Sequence, residues 1–97
     1  MRVISKKTLR EFWQKHNDSE QQLKAWYEEA ADAIWESPSD IRRKYPSASF
    51  VANNRVVFNI NWNKYRLIVK INYKYKVVWI RFIGTHAQYD KIDAATI

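Results

Sequence analysis

The chain has no cysteine, one glycine and two prolines among its 97 residues. Without a thiol there is no disulfide, no cysteine-ligated zinc and no thiol nucleophile. The two histidines, His16 and His86, stand seventy positions apart, which is not the clustered ligand set of a histidine metal cage. No apolar run exceeds four residues, far short of the roughly 20 that cross a bilayer as a helix. The basic start Met1-Arg2-Val3-Ile4-Ser5-Lys6-Lys7 has no apolar core of a secretory signal. A soluble cytoplasmic protein with no membrane role is expected, and no cofactor is implied. The scarcity of glycine and proline also excludes collagen-like and low-complexity chains, and 46% hydrophobic residues suffice for a packed core. At this length the expectation is one domain over residues 1–97.

The most informative scarcity is of negative charge. Seventeen Lys and Arg against ten Asp and Glu leave a net charge of +7, and its distribution is uneven. Residues 1–48 are near balance at +1, whereas residues 49–97 carry +6. No acid occurs between Asp40 and Asp90, an interval holding ten bases from Arg42 to Arg81. A solvated basic surface is one reading; an anion-binding face explains better why acids are kept out of it.

The hydrophobic period changes at the same place. After a short edge-strand candidate, Arg2 to Ser5, Ser5 is placed to cap a helix carrying Leu9, Phe12, Trp13 and His16 on one stripe. His16 reads as a helix-end structural residue. Asp18 or Ser19 opens a second helix with Leu23, Trp26, Tyr27, Ala30, Ala31, Ile34 and Trp35 on its core side. Ser37-Pro38-Ser39-Asp40 stops it and starts one helical turn before Tyr45-Pro46. From Ser49 the period is two, predicting strands near 49–52, 55–61, 65–73 and 76–84 joined as antiparallel hairpins. The class is α+β: two N-terminal helices on one face of a mainly antiparallel sheet, with a short C-terminal helical turn.

Strand parity sorts the side chains. Val56, Phe58 and Ile60, then Leu67, Val69 and Ile71, then Val78, Ile80 and Phe82 form an apolar face for the helices to cover. The opposite face mixes Asn59, Asn61, Arg66, Lys70 and Arg81 with Ile68, Trp79 and Ile83. Cations for phosphate, amides for base edges and a ring for stacking are what an RNA surface requires. Beyond the last strand, Gly84 is expected to permit a sharp exit and Thr85 to cap a turn. In that turn His86 and Tyr89 share one side. Asp90 is placed to fix the His86 tautomer, to hold an arginine or to form a helix-terminal salt bridge.

Several stretches resemble the HigB toxins of bacterial type II toxin–antitoxin modules, a branch of the RelE-like superfamily of messenger-RNA endonucleases. They are Met1-Arg2-Val3-Ile4-Ser5, FNINWNKYRLIVKINY at 58–73, WIRFIGTH at 79–86 and THAQYDKID at 85–93. The resemblance implies an mRNA interferase, a translating ribosome as its setting, and a HigA-type antitoxin with a helix-turn-helix domain. It also implies metal-independent cleavage by the ribose 2′-hydroxyl on its neighbouring phosphate, which needs a base, an acid and cations on the phosphorane. Under that reading Arg66, Lys70 and Arg81 hold the scissile phosphate, His86 is the leading proton carrier and Tyr89 positions or shares the proton. Asn59, Asn61, Lys64 and Trp79, with Lys74 and Lys76, contact the RNA. The rival reading is a non-enzymatic RNA-binding or ribosome-associated module using the same basic sheet.

Overall fold

The computed structural model describes all 97 residues. The chain runs β1 (Arg2–Ile4), α1 (Lys6–Lys15), a 3-10 turn (Asn17–Ser19), α2 (Glu20–Asp32), α3 (Pro38–Lys44), β2 (Ser49–Val51), β3 (Arg55–Ile60), β4 (Tyr65–Asn72), β5 (Val77–Thr85) and α4 (His86–Tyr89). The strands form one sheet in the order β1-β5-β4-β3-β2. The hairpins β2–β3, β3–β4 and β4–β5 are antiparallel, and β1 alone is parallel, against β5. The expected α+β class holds, with strand bounds within a residue or so of those read from the period-two pattern.

The helix layer forms because α1 and α2 each turn one apolar stripe inward: Leu9 and Trp13 from the first, Leu23, Trp26 and Ala30 from the second. They meet Val56, Phe58, Ile60, Tyr65, Leu67, Val69, Ile71 and Val78 of the sheet, and Ile41 of α3, in one buried cluster. Phe58 lies at its centre. Its ring centroid is 5.4 Å from Trp26, 5.1 Å from Tyr45 and 6.4 Å from Trp35.

Two expectations of the helical stripe fail locally. Ala31 and Ile34, both read as core positions of the second helix, are exposed, Ile34 to 72%. The helix ends at Asp32, and Ala33 is extended, so the 3.6-residue phase stops before Ile34 while Trp35 swings back to 5% exposure. The single turn after Ser37 is a longer helix, α3, started by Pro38 in its first turn, where a missing N–H costs nothing.

The parity of β5 also needs correction. Arg66 pairs with Gly84, Leu67 with Ile83 and Ile68 with Phe82, but Val69 pairs with Ile80, so Arg81 has no cross-strand partner. One extra residue reverses every side chain beyond it. Ile83 therefore faces the helices, where it borders a groove with Phe12 of α1, and Phe82 lies with Ile68 on the opposite face. The reading from strict alternation had these two exchanged.

The hairpin tips are built without glycine. Asn53, Asn54, Asn61, Trp62 and Lys76 all take positive φ, between 52° and 63°. Asn tolerates this region; for a side chain as bulky as Trp it costs roughly 1–2 kcal/mol. The one glycine serves a different purpose from the expected exit turn. Gly84 has no positive φ, and a Cβ there would stand 2.5 Å from the Phe82 ring and 2.7 Å from Gln88 Oε1.

Replacing Phe58 by Ala empties the space between three aromatic rings. The expected loss is about 3–5 kcal/mol, a large part of the roughly 5–15 kcal/mol that holds a domain of this size together. Denaturant unfolding should show the free energy of unfolding falling by that amount, and the midpoint falling in proportion. A loss under about 1 kcal/mol would mean the cluster closes over the gap.

Candidate nucleic-acid site

The C-terminal turn is set by its caps. Thr85 Oγ1 accepts from the Gln88 backbone N–H, and the Gln88 side chain accepts from the Thr85 N–H, a reciprocal capping box. Thr85 caps as the sequence suggested. The turn is also fixed to the neighbouring hairpin, because the His86 N–H donates to the Lys64 carbonyl at 3.0 Å.

On that turn His86 and Tyr89 lie together, ring centroids 6.4 Å apart and inclined at 66°. His86 Nδ1 is 3.1 Å from Asp90 Oδ2, so of the three roles open to Asp90 the structure shows the contact with His86. A carboxylate accepting from Nδ1 favours the tautomer protonated there, which leaves Nε2 the unprotonated nitrogen, and no hydrogen bond engages Nε2. Arg66 of β4 places its guanidinium carbon 5.5 Å from the Tyr89 ring centre, and its Nη1 donates to the Asn63 carbonyl at 3.1 Å. No acidic side chain pairs with Arg66, whose positive charge therefore remains open to an anion. The arrangement brings an imidazole, a phenol and a guanidinium to one end of the sheet, which is equipment for proton transfer beside a phosphate.

The other predicted residues are spread more widely. Lys70 lies over the Trp79 ring at 5.9 Å and is the cross-strand partner of Trp79. Four residues separate Lys70 from Arg66 along β4, roughly 13 Å of strand. Lys74 lies over Tyr75 at the β4–β5 tip, and Lys76 Nζ donates to the Trp35 carbonyl. These two are at the end of the sheet remote from His86. Arg81 Nε donates to the Ile97 carbonyl at 3.1 Å. Asn59 pairs across the sheet with Arg66 and donates to the Ser47 carbonyl. No three His, Cys, Asp or Glu side chains are disposed to hold a metal ion. His16 stacks on Phe12 at 4.3 Å, the structural place expected of it.

Three features were not foreseen. Asp18, read only as a helix opener, accepts from Lys64 Nζ at 2.5 Å, Tyr65 Oη at 2.5 Å and Asn61 Nδ2 at 3.1 Å. The hydrogen bond from Lys64, then that from Tyr65, holds the Asp18 carboxyl below the ordinary carboxylate value. The same bond raises Lys64, while burial first and Asp18 second push the Tyr65 hydroxyl up. Lys64 and Asn61 are thereby tied to Asp18. Secondly, Arg55 Nη2 donates to the Ile97 carbonyl and Asn53 to that of Ala95, which with Arg81 holds residues 95–97 against the side of the sheet away from the helices. Val57 and Ile68 on that side are 3% and 0% exposed. Thirdly, Trp62, counted only as part of a turn, is 91% exposed. An aromatic at the tip of a run of amides was the signal available for it.

A family model described as HigB_toxin, the RelE-like toxic component of a toxin-antitoxin system, matches residues 19–92. The chain is 28% identical over 94 residues to the mRNA interferase HigB of Escherichia coli O6:H1, spanning 95% of this chain and 91% of that protein. It is 24% identical over 96 residues to the mRNA interferase toxin HigB of Escherichia coli K12 and, to the same extent, to the mRNA interferase HigB of Shigella flexneri. Each of these two alignments spans 97% of this chain and 92% of the relative.

The Asp18 network makes a pH prediction. A carboxyl lowered on folding adds stability above its unfolded value of about 4, and this is lost as pH falls through the lower folded value. Asp18→Asn should melt at a lower temperature than the parent at pH 7, and the gap should shrink below about pH 4. An equal gap at pH 7 and pH 2.5 would remove the carboxylate as its source.

Proposed function

The chain belongs to the HigB family of RelE-like toxins; from that premise we propose that it acts as an mRNA interferase, cutting mRNA on the translating ribosome by internal attack of a ribose 2′-hydroxyl, without a metal ion. As the toxic component of a toxin–antitoxin system it has an antitoxin partner. A helix-turn-helix protein that covers the basic face is the form proposed for it.

The observation that carries the mechanism is the grouping of His86, held through Nδ1 by Asp90, with Tyr89 and the acid-free Arg66. In the proposed step the 2′-oxygen bonds to phosphorus and the bond from phosphorus to the 5′-oxygen breaks. The 2′-hydroxyl proton leaves to a base, and the 5′-oxygen receives one from an acid. His86 Nε2 serves one of these transfers; the Tyr89 hydroxyl orients the reacting oxygen or carries the second. Arg66 binds the non-bridging oxygens, where charge grows in the transition state. Lys70 and Trp79, further along the same face, carry the RNA strand away by charge and stacking. Arg81 adds to this face once it exchanges the Ile97 carbonyl for a phosphate.

A binding module with the same cations would retain RNA without cutting it. His86→Ala, Arg66→Ala and Tyr89→Phe separate the two readings. Each folded variant should lose cleavage of mRNA by translating ribosomes, the first two by about 10²–10⁴-fold. Lys70→Ala should weaken RNA binding and flatten its salt dependence by close to one ion. If His86→Ala and Arg66→Ala cut as the parent does, the site lies elsewhere. If the parent yields no product on ribosomes or on free RNA, the binding reading stands.

A further inference from the structure

Beside Arg66, where β3 extends beyond the end of β2, the surface forms an open cleft of about 570 Å³ lined by Gln22, Ser47, Asn59, Asn61, Trp62 and Asn63. This is within the roughly 300–1,000 Å³ of ligand clefts. The lining contains no charged side chain, so it is not a phosphate site. Five of the six residues have neutral hydrogen-bonding side chains, and the sixth is the exposed indole.

The amides are held in place while keeping groups to spare. The Asn61 N–H donates to Gln22 Oε1, Asn61 Nδ2 donates to Asp18, and Asn59 Nδ2 donates to the Ser47 carbonyl. These bonds leave the Oδ1 atoms of Asn59 and Asn61 and the Nε2 of Gln22 without protein partners, and no bond engages the Asn63 side chain. Donors and acceptors thus line the same cleft as a flat π surface. A large apolar ring held at φ 61° in solvent, at a tip where Asn or Gly is the easy choice, buries nothing within its own chain.

We propose that this cleft binds one nucleobase of the RNA, stacked on Trp62 and read at its edge by the surrounding amides. The inference rests on the ribonuclease reading and adds a specificity pocket to it. Arg66 ties the two places together: it donates to the Asn63 carbonyl and pairs across the sheet with Asn59. A phosphate on Arg66 therefore has an adjoining base within reach of the pocket. The base identity at this position then sets which bonds along a message are cut.

The test uses single-stranded RNA hexanucleotides in which each base in turn is replaced by an abasic unit, with affinity read by anisotropy on His86→Ala protein. Trp62→Gly removes the ring and suits the left-handed backbone, so this variant should melt no lower than its parent yet bind RNA about tenfold more weakly. Trp62→Phe should keep most of the affinity. One abasic position should show the same tenfold loss, and combining it with Trp62→Gly should add nothing. Trp62→Gly introduced into the active chain should also shift the distribution of cut sites. Equal affinity and equal cut sites with and without the ring overturn the pocket while leaving the ribonuclease intact, as does a variant that loses only antitoxin binding. Base-dependent, ring-dependent binding by a chain that never cuts upholds the pocket and ends the ribonuclease reading instead.

Discussion

A single carboxylate joins the helix layer to the end of the sheet that carries His86. Asp18 sits between α1 and α2 and receives Lys64, Tyr65 and Asn61 from the β3–β4 hairpin, 43 to 47 positions along the chain. The same hairpin presents the Lys64 carbonyl to the His86 N–H, from which the capped turn of His86, Tyr89 and Asp90 follows. The aromatic core decides that the two layers pack. Asp18 decides where the hairpin end rests, and so where an imidazole, a guanidinium and an amide-lined cleft stand relative to one another.

The surplus of positive charge is handled without local acids. Lys76 takes a backbone carbonyl, and Lys70, Lys74 and Arg66 lie over rings. A carbonyl or a π face positions a cation without cancelling its charge, whereas a carboxylate partner would cancel it. The basic half therefore keeps its field while holding its side chains in order. Lys64, the exception, is neutralised by Asp18 and anchors the hairpin.

Much of this was legible in the sequence because it depends on local period. The helices from Leu9 and Leu23, the strands from Val56 to Ile83 and the turn at Thr85 all follow from patterns shorter than ten residues. The grouping of Arg66 with His86 and Tyr89 was legible too, through strand parity and the three-residue spacing in a turn. What escaped depends on a defect or on distance. One unpaired residue, Arg81, exchanges Phe82 and Ile83 between faces, and no composition marks where such a bulge falls. The role of Asp18 requires knowing which hairpin lies over it. The anchoring of residues 95–97 by Asn53, Arg55 and Arg81 requires the full fold. Gly84 serves by its missing side chain and not by its backbone, which is ordinary: the space a Cβ would need is already taken by Phe82 and Gln88.

Both rims of the sheet are closed by strands of three residues, β1 and β2, whereas the three inner strands run six, eight and nine. An incoming extended chain finds only a few ladder positions at either rim before the pairing stops. Copies of the molecule gain little by zipping edge to edge, so the sheet does not template its own extension into fibres. A chain that is rich in aromatic and β-branched strands can in this way accumulate as separate particles, and association is left to its faces.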